Sequence, residues 1–269
     1  CPMKPSTIRR SSKSSGNPLE SSKGPFKRAL IVLFWLLLWQ LAYWGVGKDV
    51  VLPSPVHTFQ TLLQLILTKG FYLDVSATMV RVLLGILLSF ASGLITAIAA
   101  YLITLVKDIL SFAVQVLKST PVMAVIIFAL LWLTSGNVPI FVCFLMCYPV
   151  VYTNVLSGLE SLSRETLEMS QVYHIRNKDK IRYIYLPFVS PHIKSALSLI
   201  TGLSWKTVVA AEVLSSPKFS MGYNLLNAKV YLETEALFAW IIAIVSLSVI
   251  FERIVKRLLL RGRRRTHHD

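Results

Sequence analysis

A chain of 269 residues that is 54% hydrophobic and 15% charged, with a net charge of +15, is too apolar for an ordinary soluble domain. Its mean hydropathy of +0.62 points to long uncharged runs of the kind that cross a bilayer. The basic residues gather at the two ends and in one central stretch, which suits loops that orient membrane spans and excludes the continuous basic surface of a nucleic-acid binder.

Residues 1–28 are rich in Ser, Pro and Lys/Arg and are expected to form a disordered basic tail, because they cannot bury enough apolar surface to offset ordering. Cys1 stands where an initiator Met is expected, and Met3 is the nearest alternative start. Ala29 to Gly47 is longer than the apolar core of a secretory signal and lacks a small-residue cleavage pattern, so it reads as an uncleaved first span. Between the first two spans, Leu62, Leu63, Leu65, Ile66 and Leu67 make an apolar helix too short to cross, expected to rest at the interface outside the bilayer. Val82 to Val106, uncharged between Arg81 and Lys107, is the second span. The charge-free stretch from Ser119 to Leu159 is too long for one crossing and is divided by "TSGNVP" at Thr134 to Pro139. It gives a third span ending near Leu133 and a fourth beginning near Val138. A fifth span begins near Ser195, and the sixth is Ala236 to Phe251. Residues 29–260 thus form one membrane domain of about six helices, and 261–269 a second basic tail. An even number of spans places both basic tails on one side, expected to be cytoplasmic, in a multi-pass protein of a bacterial inner membrane.

Cys143 and Cys147 share one helical face, but no His or acid stands near them in sequence. They are expected to pack as small apolar residues, and no metal ligand set is expected.

The segment from Glu165 to Pro187, "ETLEMSQVYHIRNKDKIRYIYLP", is a polar island between spans four and five, on the side of the tails. Leu167, Ser170, Gln171 and His174 fall on one helical face, and Ile181, Ile184 and Tyr185 on another. Two short helices are expected, with the turn in "HIRNK" and Asn177 as its best candidate, the second helix ending at Pro187, whose ring removes a donor.

Glu168-Met169-Ser170, three residues, His174, nine residues, then Ile184-Tyr185-Leu186-Pro187 resembles the E-A-A, G, I-x-L-P loop of permease subunits of binding-protein-dependent ABC importers. "GLSWKTVVAAEVL" (Gly202 to Leu214) and "LPSPVHTFQTLLQLI" (Leu52 to Ile66) are similar to the branch that takes nitrate, sulfonates and taurine. The resemblance implies the type I importer permease fold, all-α, with a cytoplasmic coupling loop at about 161–190. It implies that Glu165, Glu168, Met169, Ser170, His174, Ile184, Leu186 and Pro187 form the contact with a cytoplasmic ATPase. It implies an extracytoplasmic solute-binding protein and a second permease subunit, in the simplest case an identical one. The solute is expected to be a small anion such as a sulfonate, taurine or nitrate, or a vitamin precursor. Met169 and Ser170 replace the two Ala positions and His174 the Gly, so the bend is expected either at His174 in a left-handed conformation or shifted toward Asn177.

Lys206 and Glu212 lie within the fifth span. Ionisable groups there usually face a bundle interior or a water-filled path. Their spacing of six puts them on different faces. Trp205, Lys206 and Glu212 are therefore expected as pathway residues, with snorkelling as the other reading of Lys206. Trp205, Trp44, Trp132 and Trp240 are also expected as interfacial anchors, with stacking on the solute as the other reading. The chain has no P-loop, so it is expected to bind no cofactor itself, with ATP and Mg on a partner ATPase. Its five His are scattered without a catalytic grouping, so it is not expected to be an enzyme. The alternative function is a secondary transporter or channel driven by an ion gradient.

Overall fold

The computed structural model describes residues 23–264 and is all-α, with no strand among those residues. Residues 1–22 and 265–269, most of the two expected tails, lie outside the described residues. Helix begins earlier and ends later than expected, at Lys23 and at Arg264.

Residues up to Pro55 form one unit and those from Val56 a second. In the first, α1 (Lys23–Val46) opens with Lys23, Lys27 and Arg28 and is uncharged from Ala29 to Val46, with apolar residues on every face of that stretch. It ends where Gly47 takes φ 61°, and the Trp39 indole donates to the Pro53 carbonyl at 3.2 Å.

The second unit is built on three long helices: α3 (Lys69–Leu102), α6 (Val138–Glu160) and α9 (Leu186–Ser215). The central one is α6, buried on both faces. Gly85, Ser89, Gly93 and Ala97 recur every four residues along the buried face of α3, and small residues let two membrane helices approach closely. A Cβ on Gly85 would meet Cys143 Sγ at 2.5 Å, and one on Gly93 would meet Val151 Cβ at 2.8 Å. Both contacts advance by eight residues on both helices, so α3 and α6 run parallel. On the other face Gly158 meets His192 and the Cys147 thiol faces the Ile200 carbonyl, which makes α9 antiparallel to α6. Hydroxyls inside the helices bond back to their own backbone, as Ser89 does to Gly85 at 2.8 Å and Thr96 to Ser92 at 2.8 Å. That satisfies them where water is absent.

The second span is longer than expected, since α3 begins thirteen residues before Val82 and includes Asp74 and Arg81. Its start is capped by Thr68, whose side chain accepts from Phe71 N at 3.3 Å. Both charges have partners: the Asn224 amide donates to Asp74 at 2.6 Å, and Arg81 pairs with Glu212. The helix stops at Leu102, before Val106, because Ile103 is extended.

The third span is not the straight helix expected from Ser119 to Leu133. The chain forms α4 (Thr104–Ser119) and a nine-residue α5 (Val122–Leu130), bent by 99°. Thr120, disfavoured from helix by the following Pro121, supplies the break with ψ 127°. Lys107 at the start of α4 pairs with Glu160 at the end of α6 at 2.6 Å. Among the described residues five helices, α1 included, are long and apolar enough to cross a membrane, and the bent α4–α5 pair, taken as one span, makes a sixth.

The short α2 (Pro55–Ile66) packs Leu62, Leu65 and Ile66 on the core, and its Thr61 hydroxyl donates to Glu235 at 3.3 Å. Glu235 stands in the first turn of α11 (Thr234–Arg264), after α10 (Met221–Val230). Trp240 is not an interfacial anchor: it is buried and stacked on Phe71, with ring centroids 5.5 Å apart.

Candidate functional site

The polar island folds as a short helix, a tight reversal and the foot of the next long helix. Ser163 caps α7 (Arg164–Val172), its Oγ accepting from Thr166 N at 3.3 Å. Leu167 and Ser170 turn inward, and Ser170 is 1% exposed with its hydroxyl donating to the Leu167 carbonyl at 2.6 Å. Glu165, Glu168, Met169 and Val172 occupy the opposite face at i, i+3, i+4 and i+7, all exposed; Met169 is 52% and Val172 74% exposed. Tyr173, 74% exposed, extends that face at the C-cap.

The bend lies at His174, not at Asn177. His174 takes φ 47°, its N–H donates to the Gln171 carbonyl at 2.9 Å, and the Ile175 N–H donates to the Ser170 carbonyl at 3.1 Å. This pair of bonds is the Schellman arrangement, in which the left-handed residue just past the helix lets two orphan carbonyls find donors. A glycine would sit there without strain; histidine is one of the residues that tolerates it.

After the reversal Arg176 precedes α8 (Asn177–Lys180), with its guanidinium 2.9 Å from Asp179. A π-helical segment, Ile181–Tyr185, then leads directly into α9. Pro187 therefore does not end a helix, as its missing donor had led us to expect; helix continues from Asn177 to Ser215. The Leu186 N–H reaches back five residues to the Ile181 carbonyl, and this wider turn relieves the crowding that a proline ring imposes on the carbonyls before it. Ile184 is buried, Leu186 and Pro187 are exposed, and Tyr185 meets Tyr101 of α3 edge to face at 6.2 Å.

The three expected pathway residues do not form a group. Trp205 is buried against the ring of Phe251 at 6.0 Å, its Nε1 without a partner among the described residues. Lys206 is exposed. Glu212 is fully buried and holds a closed set of partners. Arg81 Nη1 donates to it at 2.7 Å, Thr78 Oγ1 lies 3.0 Å from both its oxygens, and Gly222 N donates at 3.1 Å. Arg81 also donates to the Phe219 carbonyl at 3.0 Å. The acid thus ties α9 to α3 and to the start of α10, and no open surface reaches it. Reading Arg81 as the mere edge of a span hid this partner. The helical spacing of Glu165 and Val172 was the signal by which the exposed face of α7 could have been extended to Val172.

A model of the family described as "Binding-protein-dependent transport system inner membrane component" matches residues 85–264. The chain is 29% identical to a protein named as an aliphatic sulfonates transport permease, SsuC of Bacillus subtilis strain 168, over 90% of this chain and 87% of that one. It is 23% identical to the taurine transport system permease protein TauC of Escherichia coli K12, over 83% and 82% of the two chains. To the nitrate import permease protein NrtB of Synechococcus elongatus it is 26% identical, over 83% and 82%. In three dimensions it resembles a chain of the inward-facing MetNI methionine ABC transporter, with a TM-score of 0.53 over 74% of this chain and 97% of that one, at 14% identity. That likeness shows the fold of a type I importer permease. With more than half of its length inside the family model, the chain belongs to the family of binding-protein-dependent transport system inner membrane components.

Proposed function

We propose that this multi-pass inner-membrane permease supplies half of a solute pathway and couples it to a separate cytoplasmic ATPase through residues 163–187. Both ends of the chain lie in the cytoplasm, an extracytoplasmic protein delivers the solute, and a second copy completes the pathway. The observation that carries this reading is the exposed face of α7. Glu165, Glu168, Met169 and Val172 have no side-chain partner among the described residues and are held at a fixed angle by the left-handed turn at His174. Two acids beside an apolar ridge suit a groove with an apolar floor and basic rim, the complement of a helix docked in a partner. Because α8, the π-helical segment and α9 are continuous, force applied at α7 reaches a membrane helix through one stiff connection. The solute is a small anion, a reading supported by relatives named for sulfonates, taurine and nitrate.

The test is co-purification of the full chain with its ATPase, followed by uptake in proteoliposomes. Glu168→Arg is expected to abolish the association and ATP-driven uptake while the permease remains folded. Intact association in that variant, or uptake by the wild type without ATP, would overturn the reading. The latter result would favour a gradient-driven transporter.

A further inference from the structure

Every polar residue of α4 falls on one side of it. At 100° per residue Thr104, Lys107, Asp108, Ser111, Gln115, Lys118 and Ser119 occupy an arc of about 120°. Val106, Leu110, Val114 and Leu117 occupy a second arc, packed on the core along the whole length of the helix. Leu105, Ile109, Phe112 and Val116 fill the third, exposed and wholly apolar. A helix lying flat at an interface would not pack end to end against two membrane helices. Nor can α4 lie flat on topological grounds. Since α3 and α6 run parallel, the chain from Ile103 to Asn137 must travel back the full length of the bundle. The nine residues of α5, bent by 99°, cover about 14 Å, so α4, with 16 residues and about 24 Å, makes most of that crossing. The polar arc therefore stands at membrane depth, where contact with lipid costs a few kcal/mol per charged group. Among the described residues only Lys107, at its edge, pairs with an acid of another helix, Glu160. Among the described residues no side chain holds the Gln115 amide or the Lys118 ammonium. Where α4 meets α5 the arc opens into a cavity of about 440 Å³ lined by Gln115, Ser119 and Thr120 with Phe112, Val116 and Pro121.

We infer that this arc of α4 is the water-facing wall of the solute path. We also infer that Gln115, Lys118 and Ser119, at the elbow with α5, form a subsite for a small oxyanion. This rests on the transport reading above and names the surface that performs it. Gln115, which lines the cavity, supplies two free N–H donors, and the hydroxyl of Ser119, now bonded to the Gln115 carbonyl at 3.0 Å, can turn outward; Lys118 does not line the cavity itself but supplies an unpaired charge one residue from Ser119. Asp108, the acid of the arc, lies ten residues away toward the other end and leaves the elbow positive.

The experiment uses the full chain assembled with its partners in membrane vesicles, with Cys1, Cys143 and Cys147 replaced by Ala and uptake checked. Single cysteines at Ser111→Cys, Gln115→Cys and Ser119→Cys are compared with Leu105→Cys, Ile109→Cys and Ala113→Cys, exposed apolar positions of α4 that lie outside the cavity. The probe is the impermeant anion 2-sulfonatoethyl methanethiosulfonate. The first three are expected to react about tenfold or more faster than the second three, since the thiolate that reacts forms only in water. In the Ser119→Cys chain, adding Lys118→Met is expected to cut the rate ratio of the anionic reagent to its trimethylammonium counterpart about three- to tenfold. Equal rates on the two faces would overturn the inference. So would protection of all three polar positions together with Gln115→Cys cross-linking between copies, which would make the arc a subunit contact. An unchanged anion-to-cation ratio would remove the oxyanion subsite. The labelling pattern does not depend on ATP. ATP-driven uptake with equal labelling overturns this inference alone, whereas the expected labelling with ATP-independent uptake overturns the coupling proposal alone.

Discussion

Arg81 and Glu212 are 131 positions apart in the chain, and their side chains meet at 2.7 Å with Glu212 fully buried. Around them Thr78, Gly222 N and the Phe219 carbonyl complete the hydrogen bonding, so that neither charge is left bare. Removing one partner of such a pair strands the other: Glu212→Ala and Arg81→Ala are each expected to cost about 3–5 kcal/mol. The double variant should cost clearly less than the sum, because both act through one interaction. Thermal unfolding of the purified permease checks this, and additive losses would show that the pair is not the unit holding α3, α9 and α10 together.

The contact between Lys107 and Glu160 has the opposite character. Its side chains are 44% and 42% exposed, so solvent screens it. Lys107→Met is expected to change stability by no more than about 1 kcal/mol. The same unfolding assay measures it, and a loss as large as that of Glu212→Ala would mean that the surroundings of this pair are effectively dry.

At His174 the backbone, not the imidazole, sets the requirement. His174→Gly should retain uptake and ATPase association, since glycine takes φ 47° freely. His174→Ile should lose the association, because a β-branched residue in the left-handed region is strained by about 1–3 kcal/mol. If His174→Gly fails while the protein stays folded, the imidazole itself makes a contact that matters.

The α3–α6 seam should be sensitive to single carbons. Gly93→Leu places its Cβ 2.8 Å from that of Val151 and should destabilise by about 1–3 kcal/mol or more, as overpacking does. Gly202, inside α9, has nothing within 4 Å of where a Cβ would stand. Gly202→Ala should be neutral or stabilise by about 0.5–1 kcal/mol through helix propensity. Melting temperatures of the two variants should move in opposite directions or differ by several degrees; equal effects would rule out close packing as the reason for Gly93.

Sequence alone determined that this is an all-α membrane chain with about six crossings, because uncharged runs of membrane length have no other stable home. It also located the polar segment from Glu165 to Pro187 and confined its bend to residues 174–178, since both depend on spacing within a few helical turns, but it left His174 and Asn177 both open as the turn. What it could not supply were relations between distant segments. Arg81 looked like the edge of a span because a charge is read as an interface until its partner is known, and Glu212 lies 131 positions away. Pro187 looked like a helix end because the wider π turn before it is invisible to residue-by-residue reasoning. The polar positions of α4 were legible at spacings of four, three, four and four from Thr104 to Ser119. Only the parallel packing of α3 and α6 decided that this helix must cross the bilayer, since parallel neighbours oblige the chain between them to return through it.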